Sequence, residues 1–213
     1  MLKKLLAKFV YWMMGQNWYR WFLLKVVPKL RINLGYTMIE GLSYKLGYSR
    51  LRPGDILLSV DYHKALTPLI GGDFAHAAFC VSKDEYGMEI VEMVGDGFKE
   101  ICFYDFCKEA DRVAIIRCER YDPDYVKKMI RNAYAYKTSP YDVHFEFEQE
   151  TGVKMNTKPL YCAELVYLAD EENRIGASLE DMMGIGHPYI SPTGLLKASH
   201  ASLIWDSGDL RKK

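Results

Sequence analysis

Residues 160–166 read Leu-Tyr-Cys-Ala-Glu-Leu-Val, and this stretch decides how the rest of the chain is interpreted. Cys162 comes shortly after Pro159 and just before an apolar run with helical spacing, so it is predicted to lie at or near a helix N-terminus. Unpaired backbone N–H groups and the helix dipole stabilise a thiolate there, and the same N–H groups can bind an oxyanion. The stretch therefore predicts a nucleophilic cysteine. A small buried cysteine with a purely structural role is the alternative interpretation.

A predicted β-hairpin upstream supplies a histidine and a carboxylate. Residues 73–94 contain two strand-like runs separated by a polar turn. With the loop centred near Asp84, His76 and Glu92 are directly opposed and point to the same face of the sheet. A carboxylate beside an imidazole fixes its tautomer and stabilises the imidazolium. A different register would make Glu89 the partner of His76 instead of Glu92. The alternative interpretation is a hairpin in which these polar residues have only structural roles.

These motifs occur in an order that resembles a known family. In chain order they are Arg52-Pro53-Gly54-Asp55-Ile56-Leu57-Leu58, His76, Glu92, Tyr141-Asp142 with Phe145, and the cysteine stretch at residues 160–166. Together they resemble the circularly permuted papain-like cysteine hydrolases of the YiiX/YebB type, a branch of the NlpC-like superfamily. In that family the histidine strand precedes the cysteine helix. The resemblance implies that Cys162 is the nucleophile, His76 the general base and acid, and Glu92 the orienting residue.

Other residues of the resembling region are candidates for weaker roles. Tyr141, Asp142 and Tyr161 are predicted to bind substrate, although Asp142 would equally brace the segment that follows it. Glu164 lies two residues beyond Cys162 on the predicted helix and so points away from it, which favours a structural contact. No motif near the four other histidines suggests a catalytic role for them: His63, His144, His187 and His200.

Composition and cysteine usage limit the class of protein. The chain has 213 residues, of which 49% are hydrophobic and 26% charged, as expected for a soluble domain with a substantial core and an appendage. Five cysteines, an odd number without a Cys-x-x-Cys pair, argue against a zinc site and against a disulfide scaffold. We therefore expect a reducing compartment, and no metal or organic cofactor is needed.

The N-terminal segment differs from the rest of the chain in charge. Residues 1–39 contain seven basic and no acidic residues, and the remainder contains 21 basic and 28 acidic residues. The longest apolar run, residues 9–15, is too short to span a membrane, and no signal-peptide cleavage site is evident. Residues 1–48 are predicted to form a basic, aromatic helical extension that precedes a permuted papain-like hydrolase domain at residues 49–213.

Two interpretations of this extension remain open. It is either an interfacial membrane helix or a pair of helices packed on the domain or on a protein partner. A nucleic-acid partner is not expected. The corresponding location is cytoplasmic or peripheral to a membrane.

The expected fold class is α+β, with a small antiparallel sheet packed against helices. Strands are predicted at residues 56–60, 73–81, 88–94 and 112–118. Asp122 and Pro123 are predicted to start a helix, as its N-cap and first-turn residues. Residues 146–158 are expected to form an exposed loop, and residues 176–213 to form loops and a short helix that covers the cleft.

The predicted chemistry is acyl transfer through a thiolate. The resemblance implies hydrolysis of an amide or ester bond in a peptide-like, cell-wall-like or acylated lipid substrate, and the sequence does not choose among these. Permuted relatives include lecithin:retinol acyltransferase-like proteins, so a lipid-directed acyltransferase or thioesterase at a membrane surface is a second hypothesis. A non-catalytic component of a larger assembly is the third.

Overall fold

A six-stranded antiparallel sheet forms the centre of the computed structural model. The strands are β1 (Ile56–Val60), β2 (His76–Cys80), β3 (Ile90–Val94), β4 (Gly97–Ile101), β5 (Arg112–Cys118) and β8 (Ala201–Asp206). They lie in the order β4-β3-β2-β1-β5-β8, and a separate two-stranded sheet pairs β6 (Glu180–Asp181) with β7 (Pro188–Tyr189). The predicted α+β class, with an antiparallel sheet packed against helices, is confirmed.

The structure describes most of the chain, with gaps. The described residues are 8–13, 15–27, 39, 41–62, 64, 67, 72–83, 87, 89–145, 147, 158–181, 184 and 186–208. Some predictions fall outside these ranges: the turn at Asp84, the residues of the 146–158 loop other than 147 and 158, and His63.

Helices cover both faces of the sheet. They are α1 (Asn17–Lys25), α2 (Gly41–Arg50), α3 (Phe103–Lys108), α4 (Pro123–Ala135), α5 (Cys162–Ala169) and α6 (Pro192–Leu196), and residues 8–13 are also helical. Alternate residues of β1 enter two different cores. Ile56 and Leu58 pack with α4, α5 and α6, whereas Leu57 packs with α2, α3 and β8. Within the described ranges, no helix has both the length and the apolar character needed to cross a bilayer.

Helix α4 begins where the sequence predicts. The Asp122 carboxylate accepts hydrogen bonds from the backbone N–H groups of Asp124 and Tyr125, at 3.1 and 2.9 Å, and Pro123 occupies the first turn. This is a standard N-cap, and it satisfies two N–H groups that have no partner within the helix. The buried face of α4, which includes Met129, packs against α5.

Asp55 is the charged centre of the turn before β1. Its carboxylate accepts a hydrogen bond from the Arg52 backbone at 2.8 Å and two from the Arg117 guanidinium at 2.6 and 2.7 Å. Gly54 has a φ of +94°, a conformation that favours glycine. Asp55 is only 1% exposed, so Arg117 neutralises a buried charge and links β1 to β5.

Arg117→Ala is expected to lower the free energy of unfolding by about 3 kcal/mol, because it leaves the buried Asp55 carboxylate without its cation. Chemical denaturation at pH 7 measures this change. Lys127→Ala is the matched control. Lys127 pairs with Asp124 at 2.9 Å on the surface, and its loss is expected to cost less than about 0.5 kcal/mol. Equal effects of the two substitutions would contradict the assignment.

The C-terminal segment contains a strand that the sequence analysis missed. Residues 176–213 were expected to form only loops and a short helix, but Ala201–Asp206 form β8, which pairs with β5. The hydrophobic pattern of β8 is weak because the strand lies at the sheet edge, where Leu203 remains 51% exposed and Trp205 is buried. Strand β4 and helix α3 were not predicted either.

The predicted domain boundary after residue 48 does not coincide with an edge of the packing. Tyr44, Leu46 and Tyr48 of α2 pack into the core beside Trp205. A Cβ atom at Gly47 would lie 2.9 Å from the Trp205 ring, so glycine allows helix and strand to approach closely. Residues 41–48 are therefore part of the globular domain.

Candidate active site

Cys162 is the first residue of α5, as the sequence predicts. Tyr161 is the N-cap, with extended backbone angles, and most of the helix is buried against α4 and β2. The first intrahelical hydrogen bond runs from the Leu165 N–H to the Tyr161 carbonyl at 3.0 Å. The N–H groups of Cys162 and Ala163 precede that bond, so they are available to an anion at the helix start.

His76 and Glu92 are hydrogen-bonded. The Nε2 atom of His76 lies 2.7 Å from Oε2 of Glu92. The prediction that these residues are directly opposed is wrong by two positions, because Glu92 lies opposite Ala78. Side chains alternate along a strand with a period of two, so a two-residue shift keeps both groups on the same face, as diagonal neighbours.

Glu89, the alternative carboxylate, has a structural role. It is 3% exposed and accepts hydrogen bonds from the Tyr48 hydroxyl at 2.8 Å and from the Phe103 N–H at 2.9 Å. These contacts hold α2 and the start of α3 against the sheet. Glu89 is therefore not the partner of the histidine.

The imidazole of His76 links Cys162 to Glu92. Its ring is hydrogen-bonded to Glu92 and lies close enough to Cys162 for the charge of that side chain to influence its pKa. Burial alone would lower the pKa of His76, because it disfavours the charged imidazolium. The negative charges of the Cys162 thiolate and the Glu92 carboxylate outweigh burial and raise that pKa to about 10. Burial raises the pKa of Glu92, but the hydrogen bond and charge of His76 prevail and lower it.

The three side chains share one cleft with Tyr141. The cleft has a volume of about 720 Å³, and its lining includes Cys162, His76, Glu92 and Tyr141. The cleft thus combines a thiol at a helix start, a base beside it, and a carboxylate hydrogen-bonded to the base. This is the arrangement needed to generate a nucleophilic thiolate.

The family model that matches the chain describes permuted papain-like amidase enzymes, the YaeF/YiiX or C92 family, and it covers residues 50–184. This chain belongs to the YaeF/YiiX family of permuted papain-like amidases. As a member of a cysteine amidase family it is a cysteine hydrolase in general terms. The family resemblance seen in the sequence is thereby confirmed.

One solved structure similar to this YaeF/YiiX-family chain is the crystal structure titled metalloprotein yiiX from Escherichia coli O157:H7. The two chains are 16% identical, with a TM-score of 0.59, over 73% of this chain and 97% of the other. This similarity supports the fold. No curated protein matches the chain significantly. The parts of this chain that the structure describes contain no group of three or more His, Cys, Asp or Glu residues placed to hold a metal ion.

Backbone pairing holds Tyr141 beside the segment that carries Cys162. Residues 141 and 160 form a parallel bridge, in which the Leu160 N–H donates to the Pro140 carbonyl at 2.9 Å and the Asp142 N–H donates to the Leu160 carbonyl at 2.8 Å. Burial, followed by the negative charge of the Cys162 thiolate, raises the pKa of Tyr141 well above its usual value. In this YaeF/YiiX-family cleft the Tyr141 hydroxyl is therefore a neutral hydrogen-bond donor at pH 7.

Two predicted substrate-binding residues lie outside the lining of the cleft. Tyr161 is 1% exposed, and its hydroxyl accepts a hydrogen bond from the Ile190 N–H at 2.7 Å. Asp142 is buried and accepts a hydrogen bond from the His144 N–H at 2.9 Å, which braces the next segment. Their positions do not support contact with substrate, because both side chains are directed into the packing behind the cleft.

Glu164, in the first turn of α5, has a structural position. Its side chain is fully buried and pairs with Lys158 at 2.8 Å. Burial raises the pKa of Glu164 to about 7, and the Lys158 ammonium limits the rise. The sequence interpretation of Glu164 as a structural contact agrees with this position, but the sequence did not single out Lys158.

The cleft wall also carries ion pairs that the sequence analysis did not single out. Lys64 lies 3.7 Å from both Asp61 and Glu109, and Lys99 lies 3.7 Å from Asp96. All five residues line the cleft. In sequence they are ordinary charged residues, so no local pattern marks them as part of a site.

Proposed function

We propose that this protein hydrolyses an amide or ester bond through Cys162, His76 and Glu92. The observation that carries the proposal is the His76 imidazole, which is hydrogen-bonded to Glu92, shares one cleft with Cys162 and interacts with it electrostatically. A partly buried histidine beside a thiol and a carboxylate has the composition of a proton-transfer unit.

The proposed reaction has two halves. His76 takes the proton of Cys162, and the thiolate attacks the carbonyl carbon, forming a C–S bond and an oxyanion that faces the N–H groups of Cys162 and Ala163. The imidazolium then gives its proton to the leaving amine or alcohol as the C–N or C–O bond breaks. In the second half, His76 deprotonates a water molecule that attacks the thioester. The C–S bond then breaks, the acid departs, and the imidazolium returns its proton to the Cys162 sulfur.

Supporting roles are proposed for the other groups of the site. Glu92, at 2.7 Å from Nε2 of His76, holds the ring and stabilises the imidazolium. Tyr141 contacts the substrate, because it lines the cleft with a neutral hydroxyl that can donate a hydrogen bond. The substrate is peptide-like, cell-wall-like or acylated. Lipid-directed acyl transfer is the second candidate function, and the exposed aromatic residues of the N-terminal helices favour it.

Alkylation by iodoacetamide at pH 7 tests the proposal. We expect Cys162 to be labelled first among the five cysteines, because burial raises the thiol pKa of Cys80, Cys107 and Cys118. His76→Ala removes the cation that stabilises the thiolate and is expected to slow labelling of Cys162 by about tenfold or more. Peptide mapping by mass spectrometry measures the rate at each cysteine.

Cys102 provides the internal control for access, since it is partly exposed and lies outside the proposed unit. Its labelling rate is expected to stay constant in His76→Ala. The proposal fails if Cys162 is labelled no faster than Cys102 and its labelling rate is unchanged in His76→Ala. The protein would then be a non-catalytic module.

A further inference from the structure

Exposed aromatic side chains are concentrated on the N-terminal helices. Of the ten large hydrophobic residues that are exposed among those the structure describes, five fall within residues 9–22. They form what we call the aromatic patch: Phe9 (55% exposed), Trp12 (59%), Trp18 (61%), Trp21 (62%) and Phe22 (36%). Side chains of this size are rarely left in water in such numbers, so the patch is a surface built for contact.

The patch residues of α1 lie on a single face of the helix. Trp18, Trp21 and Phe22 are three and four residues apart, so they share one helical face, and Lys25 continues that face one turn later. Phe9 and Trp12 repeat the three-residue spacing in the helical stretch 8–13, and their ring centroids are 6.0 Å apart.

The remaining sides of these helices are held by the domain. Val10 and Tyr19 pack with Val27 and Phe145 in a small apolar cluster. Tyr11 stacks on His187 with ring centroids 4.2 Å apart. The aromatic patch is therefore presented by helices that are already docked, and its exposure is not a result of a loose segment.

The docked helix reaches the cleft. Leu24 lines the cleft, and Lys25 pairs with Asp96 of the cleft wall at 3.0 Å. A Cβ atom at Gly95 would lie 3.1 Å from Leu24, which shows how closely α1 approaches the turn between β3 and β4. Whatever covers the aromatic patch therefore lies next to the entrance to Cys162.

Charge identifies the partner. Residues 1–39 carry seven positive charges and no negative charge. Among the described residues, Lys8, Arg20 and Lys25 lie on the same helices as the tryptophans and phenylalanines of the patch, and this combination matches the chemistry of an anionic bilayer interface. A second copy meeting the patch face to face would bring like charges together, which disfavours self-association.

We propose that the aromatic patch binds the surface of an anionic phospholipid bilayer and thereby presents the Cys162 cleft to an acyl substrate held in that bilayer. The substrate part of this inference rests on the proposed hydrolase function. The binding part stands on the exposed aromatic face, the positive charge and the contact between α1 and the cleft.

The four tryptophans make the full-length protein its own reporter. Trp12, Trp18 and Trp21 belong to the patch, and Trp205 is buried in the core at 5% exposure. Vesicles of phosphatidylglycerol and phosphatidylcholine are expected to shift the emission to the blue, and brominated acyl chains are expected to quench it. Pure phosphatidylcholine vesicles are expected to bind at least tenfold more weakly, and 0.5 M NaCl is expected to weaken binding to the mixed vesicles at least tenfold.

A double substitution with a matched control distinguishes binding through the aromatic patch from nonspecific binding through any exposed aromatic residue. Trp18→Ser with Trp21→Ser is expected to reduce co-flotation with the mixed vesicles at least tenfold. Tyr104→Ser removes an aromatic residue of similar exposure, 60%, on α3 and is expected to leave flotation unchanged. Circular dichroism should be the same for all three proteins, because every substituted side chain is exposed.

Three results would overturn the binding proposal: no emission shift with anionic vesicles, equal binding to neutral vesicles, or equal loss of flotation in Tyr104→Ser. A dimer whose tryptophans resist acrylamide without vesicles would also overturn it, since a second copy would then cover the patch. Labelling of Cys162 by iodoacetamide is expected to be the same in the double variant and the unmodified chain, so failure of membrane binding and failure of the proposed hydrolase are distinguishable.

Discussion

Cys162→Ala is expected to abolish acyl transfer, with a loss of at least about 10⁴-fold in kcat, because Cys162 is the only thiol among the described residues that line the cleft. The fold should remain intact. Alanine is the best helix former, and the side chain it replaces is small, so α5 can still begin at residue 162. Release of a chromophore from an activated ester or an anilide measures turnover, and thermal unfolding measures the fold.

Cys102→Ser is the matched variant for this experiment. Cys102 is also a free cysteine and is more accessible than Cys162, so its loss tests whether any exposed thiol supports turnover. We expect full activity in Cys102→Ser. Turnover in Cys162→Ala comparable to that of the unmodified chain would show that a different residue attacks the substrate.

Glu92→Gln is expected to lower kcat by about 10²- to 10⁴-fold while leaving the site assembled. The glutamine carbonyl can still accept the hydrogen bond from Nε2 of His76, but it no longer supplies the negative charge that stabilises the imidazolium. The effect should therefore appear mainly in kcat, with little change in the stability of the fold. Steady-state kinetics on the chromogenic substrate give both kcat and KM.

The pH profile of the same variant gives a second readout. The Glu92 carboxylate is one of the groups that raise the pKa of His76 to about 10, so its removal must lower that pKa. Activity that requires the imidazolium is lost as pH rises through this pKa, and the alkaline limb should move to lower pH in Glu92→Gln. Glu100→Gln on the neighbouring strand, whose carboxylate pairs with Lys137 at 2.6 Å, should leave the limb in place. An unmoved limb in Glu92→Gln would contradict the coupling.

The local parts of the fold were predictable because their causes lie close together in sequence. The position of Cys162 at the start of α5 follows from a proline and an apolar helical period within ten residues. The shared face of His76 and Glu92 follows from the two-residue period of strands. The predicted register was wrong by two positions, and a shift of two leaves both side chains on the same face.

The rest depended on contacts between distant segments. Tyr161 adjoins the nucleophile in sequence, yet its side chain turns to the Ile190 backbone 29 residues away. Helix α2 was predicted to belong to a separate extension. Its packing partner Trp205 lies more than 150 residues later in the chain, so the local sequence gives no sign of the contact. The pattern of a single segment carries no information about such partners, and charged residues of the cleft wall look like any surface residues.

The order of the strands has a consequence for synthesis of the chain. Translation delivers His76 and Glu92 first, then Cys162, and last β8, which pairs along the outer edge of β5. A nascent chain therefore contains the proposed acid–base pair before it contains the proposed nucleophile. Cys162 is then never present without the histidine that is proposed to activate it. The same order leaves the β5 edge open until the final residues emerge. A product released before residue 201 would carry all three proposed catalytic residues together with an unpaired strand edge, the feature that templates aggregation.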